Sequence, residues 1–159
     1  AIAEHISGSQ EAFAELMNTE AKQLGATGTH FVNPHGLHDE NHYTTTYDLY
    51  LMFNEALKDQ AFLDIISMNS YTAKVTSADG TSYTPTWQAT NYYSAGEATP
   101  PDGIHVYGGK TGTTDQAGNC VILYEKNTAG EPYISVIMGA SDKPLLYEEM
   151  NELLDAGMK

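Results

Sequence analysis

The stretch "VYGGKTGTTDQAGN", Val106 to Asn119, decides the fold. It reads as a strand that carries Lys110-Thr111-Gly112 near its end and then enters a polar turn. Two glycines precede the lysine and a third follows the threonine. Side-chain-free positions on a strand let another backbone approach closely. A strand edge can also hold an extended peptide by main-chain hydrogen bonds. Lys110 would then offer a positive charge to a terminal carboxylate, and Thr111 a hydroxyl donor to the same group. The tripeptide alone is a weak signal, because three specified residues recur by chance. Its setting strengthens it: the chain has seven Lys, no Arg and 21 acidic residues, so a lysine between glycines needs a reason.

Outward from this stretch the two-residue period continues. The strand-like segments are "IHVYGGKTGT", "GNCVILYEK" and, after the turn "NTAGE", "PYISVIMGA". On the last of them Ile134, Val136 and Met138 fall on one face, and Tyr133, Ser135, Ile137 and Gly139 on the other. Mostly apolar residues on both faces suit burial between helical layers. Cys120, the single cysteine, permits no internal disulfide and no Cys-based metal site. Within "NCVILY" it reads as a small buried hydrophobe. Upstream, "YTAKVT" and "TSYTPTWQ" flank Asp79-Gly80, the strongest short-range hairpin signal in the chain. Pro85 makes the second of these strands irregular or peripheral. "NYYSAGEATPPDG" reads as a loop. Residues 144–156 read as a helix with Leu146, Met150, Leu153 and Leu154 on one stripe, Asp142 as N-cap and Gly157 as stop.

The N-terminal region follows the helical period. "AIAEHI" reads like the last turns of a helix, with Ile2, Ala3 and Ile6 on one face and no cap. Ser9 caps a helix over "QEAFAELMNTEAKQL", whose stripe is Phe13, Leu16, Met17 and Leu24 and whose end is Gly25. "GATGTHFVNPHGLHDENHYTTTYD" reads as a long loop. Thr45 and Asp48 mark the start of a helix from about Thr46 to Lys58, and a short helix follows from Gln60 to Ile66. Helices, then mostly antiparallel strands, then a helix make the class α+β. Residues 1–159 read as a single domain: 1–70 mainly helix and loop, 71–142 mainly strands, 143–157 the final helix. A chain of this length can bury roughly two-thirds of its unfolded surface.

Several function classes fall away. A net charge of −14 with no Arg argues against nucleic acid and against an anionic membrane surface. No apolar run approaches the ~20 residues that span a bilayer. His30, His35, His38 and His42 invite a metal reading, but their spacing is not that of a helical H-E-x-x-H pair. Asn33, Pro34 and Gly36 instead mark a rigid loop with capping histidines, so neither a metal nor a cofactor is expected. Asp39, Glu40, Asp48, Asp102 and Asp115 read as solvated loop charge, with no spacing that pairs them for glycosidase chemistry. Trp87 and the tyrosines read mostly as core or strand residues rather than a carbohydrate platform.

Four segments together resemble one family: "ISGSQEAFAELMN", "THFVNPHGLHDENHYTTTYDL", "GGKTGTTDQAGNC" and "ISVIMGASD". The chain is similar to the low-molecular-mass penicillin-binding proteins, serine-type D-Ala-D-Ala carboxypeptidases, from residue 1 to about 157. The resemblance implies the serine β-lactamase and penicillin-binding-protein fold, an antiparallel sheet with helices packed on it. It implies a serine that attacks the penultimate D-Ala carbonyl of a cell-wall pentapeptide, forms an acyl-enzyme and is itself acylated by penicillins. It casts Lys110, Thr111 and Gly112 as the substrate-carboxylate site, and the backbone N–H of Thr113 as an oxyanion donor. It places the enzyme in the bacterial cell envelope, with signal peptide and anchor outside this sequence.

One departure is plain. No Ser is followed by Lys three residues on: Ser70 has Lys74 at four, and Ser141 has Lys143 at two. Ser67-Met68-Asn69 fits a Ser-x-Asn motif, but its place in the order is wrong and it reads as coincidence. The resemblance therefore makes these residues an incomplete catalytic domain that lacks its N-terminal segment, inactive alone. Without its implied partner strand, 133–140 becomes an open edge, and a homodimer through it is expected. Other readings are a non-catalytic module that binds peptidoglycan peptides, a β-lactamase-like hydrolase, or a structural domain with an accidental tripeptide.

Overall fold

The computed structural model describes residues 1–157. Helix α1 (Ile2–Ser7) has no side-chain cap at Ala1. Its expected apolar face does not bury as a unit. Ala3 is buried, while Ile2 and Ile6 stay 77% and 58% exposed, because a helix of two turns offers α2 only one side. Helix α2 (Gln10–Gln23) starts at Ser9, whose Oγ accepts the Ala12 N–H at 3.0 Å. Small residues, Ala14 and Ala21, make its closest packing. Phe13, Leu16, Met17 and Leu24 line an open apolar groove of about 500 Å³ shared with Phe31, Met52 and Ala56.

The following loop is tied by a bridge between His30 and Tyr43. Helix α3 (Thr46–Ala56) begins where Thr45 Oγ1 accepts the Asp48 N–H at 3.1 Å. Asp48 is not solvated loop charge. It is 4% exposed and accepts the Thr29 hydroxyl at 2.7 Å. The first turn of a helix favours a carboxylate, and this one fastens the loop to α3. Helix α4 (Gln60–Ile66) is capped by Asp59.

The expected hairpin forms in two pieces. Strand β1 (Ser70–Thr72) pairs with β4 (Thr86–Gln88), and β2 (Val75–Thr76) with β3 (Ser82–Tyr83), around Asp79-Gly80. Pro85, which has no N–H to donate, lies in the break. The segment read as a loop contains a short helix, α5 (Tyr92–Ala95), with Asn91 as N-cap. Its Gly and Pro content belongs to the turns after it.

The main sheet has the order β5 (Ile104–Thr114), β6 (Gly118–Asn127), β7 (Pro132–Ala140), antiparallel throughout. Helix α6 (Lys143–Gly157) starts at Asp142, whose Oδ1 accepts the Leu145 N–H at 2.8 Å. Gly157 lies within this helix, and its expected role as a stop concerns residues outside those described. Val121, Leu123, Leu146, Met150 and Leu154 form the core between β6 and α6. Helix α3 packs on β7 as well, so the sheet carries helices on both faces. The result is an α+β architecture with β5 and β7 as the two edges of the main sheet.

Candidate functional site

Strand β5 puts Lys110-Thr111-Gly112 on the edge away from β6. Gly108 explains the first of the glycines. A Cβ there would collide with the Ile66 carbonyl oxygen, so the end of α4 crosses β5 backbone to backbone. Gly112 answers a different need. A Cβ there would meet nothing within 4 Å, and the space stays open.

The open space is a groove of about 460 Å³. On one side are Lys110, Thr111, Gly112, Thr113 and Thr114; on the others are His35, Leu37, Thr90, Lys143 and Tyr147. Two of the seven lysines of a −14 chain line it, and none of its described lining residues is acidic. Lys110 is exposed, and its ammonium donates to the Thr111 carbonyl. The Lys143 ammonium lies 5.5 Å from the Tyr92 ring centre. The Thr111 Oγ1 is 2.6 Å from Thr90 Oγ1. The Thr113 hydroxyl donates to Asn119 Oδ1 at 3.2 Å. Tyr147 Oη accepts the Tyr92 N–H at 2.9 Å, and burial pushes its phenol above the ordinary range, so it remains neutral.

Cys120 corrects an expectation. It is partly exposed and lines the groove instead of burying. Its cross-strand partner is Gly112, which has no side chain to cover it. Ser67 stands apart from the groove, and its hydroxyl donates to the Leu63 carbonyl at 2.7 Å. The histidines act within their loop. His42 Nδ1 accepts the Val32 N–H at 3.1 Å, and burial holds its pKa below the usual histidine range. His35 Nδ1 accepts the Leu37 N–H at 3.2 Å. Thr90, Lys143 and Tyr147 had no local signal. They lie far along the chain from Lys110, and only the packing of α5 and α6 brings them to the edge.

A groove lined by two lysines and a pair of bonded hydroxyls, with no acidic side chain among its described lining residues, suits an anionic ligand laid along a strand edge. Residues 1–142 match the D-alanyl-D-alanine carboxypeptidase family. The chain belongs to this family.

The carboxypeptidase DacF of Bacillus subtilis is 31% identical over 155 residues, 98% of this chain and 37% of its own length. DacA of Haemophilus influenzae is 31% identical over 159 residues, 99% of this chain and 37% of its own. The chain thus spans little more than a third of these curated carboxypeptidases. Among solved structures, a Streptomyces DD-transpeptidase superposes with a TM-score of 0.82 at 26% identity, covering 92% of this chain and 54% of that one. DacD of Francisella tularensis gives 0.81 at 25% identity, covering 100% and 48%. The portion of the low-molecular-mass penicillin-binding-protein fold expected from the four segments is observed, matching about half of each of those solved chains.

Proposed function

We propose that the β5 groove holds the terminal carboxylate of a D-Ala-D-Ala peptide in a serine-type carboxypeptidase. The observation that carries this reading is the sign of the groove, two lysines and no acidic side chain among its described lining residues, in a chain of net charge −14. In it, Lys110 supplies the charge, Thr111 a directed hydroxyl, and Gly112 the room for a peptide backbone. The Thr113 N–H serves as an oxyanion donor once a nucleophile is present. No Ser in this sequence has a Lys three residues on, so the nucleophile has to come from outside these 159 residues. On this reading the 159 residues are a portion of a catalytic domain, bind such peptides and β-lactams weakly, and form no acyl-enzyme alone. The place of action is the bacterial cell envelope, as for a cell-wall enzyme. No helix among the described residues is long and apolar enough to cross a membrane. We also propose that β7 pairs edge to edge with a second copy.

Two measurements test the site. Intact mass after excess benzylpenicillin should show no adduct, and a stoichiometric adduct would overturn the missing nucleophile. Amide-resolved NMR titration with N-acetyl-D-alanyl-D-alanine should shift residues 110–114, and its C-terminal amide should not. Equal response to acid and amide would sink the carboxylate reading.

A further inference from the structure

Two threonine hydroxyls meet at the lip of the groove, Thr90 Oγ1 against Thr111 Oγ1 at 2.6 Å. Each hydroxyl has one proton and two lone pairs. Bonded to each other, the pair uses one proton for the mutual bond and keeps one. If Thr111 donates, it faces the groove with lone pairs only and repels an anion. If Thr90 donates, Thr111 keeps its proton for the groove, and accepting a bond strengthens its own donation.

We propose that Thr90 is a positioning residue that fixes the direction of the Thr111 hydroxyl toward a bound carboxylate. This rests on the carboxylate reading above. A carboxylate is an acceptor only, so its arrival selects the arrangement in which Thr90 donates. Lys110 cannot replace this function, because an ammonium on a flexible stem supplies charge with little direction.

The backbone holds Thr90 from both sides. The Ala89 N–H donates to the Asn69 carbonyl at 2.8 Å. Asn91 is 3% exposed and accepts the Tyr93 N–H at 3.1 Å as cap of α5. The Tyr92 ring stacks on Tyr147 of α6 with centres 4.5 Å apart. A hydroxyl on so fixed a segment has little freedom left to lose when it bonds.

The test compares Thr90→Val, which keeps the β-branched shape, with Thr90→Ser, which keeps the hydroxyl. Both are made in the 159-residue chain and titrated with N-acetyl-D-alanyl-D-alanine by NMR, with thermal melts to confirm folding. Thr90→Ala serves if the Val variant melts early. The expected result is roughly ten-fold weaker binding for Val, the size of a lost hydrogen bond to a charged group, and wild-type affinity for Ser. Unchanged affinity in Val, or equal loss in Val and Ser, overturns the positioning role while the carboxylate reading stands. No response of the wild-type chain removes both. Loss in Lys110→Gln alone keeps the carboxylate reading and removes Thr90.

Discussion

Gly108 and Gly112 lie on one strand and answer to different neighbours. At Gly108 the obstacle is the Ile66 carbonyl, a backbone atom that no rotamer change can move. Gly108→Ala is expected to cost about 3 kcal/mol or more, read as a lowered unfolding midpoint, because overpacking must push one backbone away from another. At Gly112 nothing stands in the way. Gly112→Val is expected to leave stability within about 0.5 kcal/mol, as a surface substitution does, and to abolish the ligand-induced shifts of β5. Melts and titration of both variants separate a packing glycine from a groove glycine. The sequence stretch 106–119 announced that some backbone approaches here, but nothing in it named Ile66. It also showed Lys110 and Thr111 while leaving Thr90 invisible, because their pairing depends on tertiary packing and no local period reports it.

At the scale of elements, caps were legible and burial was less so. Ser9, Thr45 and Asp142 each bond a backbone N–H at the helix start where expected. A cap is a local event, and the sequence spells it out within four residues. Burial is not local. Glu125 sits in "GNCVILYEK" without any mark, yet β6, β7 and α6 close over it to 1% exposure. Its Oε1 accepts the Ser135 hydroxyl at 2.6 Å, and its Oε2 has no hydrogen-bond partner among the described residues. Desolvation raises its pKa from 4.5 to about 7, outweighing the opposing Ser135 bond. The folded state therefore holds a proton that the unfolded chain gives up. The contribution to stability is whole below about pH 4.5, falls as pH rises toward 7, and is gone above it. The change is roughly 3 kcal/mol. Thermal melts from acid to mildly alkaline pH should show this decline. Glu125→Gln should flatten it and raise the midpoint at the alkaline end, and an unchanged slope would refute the assignment.

For the whole molecule the balance lies between an open edge and a large charge. Strand β7 has no strand on its outer side among the described residues and carries apolar residues, which favours association. A net charge of −14 on each copy opposes it. Screening decides between them, since added salt weakens the repulsion and leaves the strand edge unchanged. Sedimentation velocity should show a dimer that strengthens with both protein and salt concentration. Ile134→Lys on the edge should weaken it. A monomer at every concentration and salt level would dispose of the pairing. The class and the three long strands were plain from the period of the sequence. The apolar groove between α2 and α3 was not, because a stripe of apolar residues says nothing about whether anything covers it.

The order β5-β6-β7 sets a clock inside the sheet. Among the described residues only β6 has a strand on each side of it, so its amides should all surrender their hydrogens to heavy water slowly. In β5 and β7 every second amide faces outward, and those should exchange early, giving a tooth-like pattern along each strand. A peptide lying along β5 would stop the fast teeth on that strand alone, while a second copy docked on β7 would stop the others. One exchange experiment would then tell by position which edge is occupied.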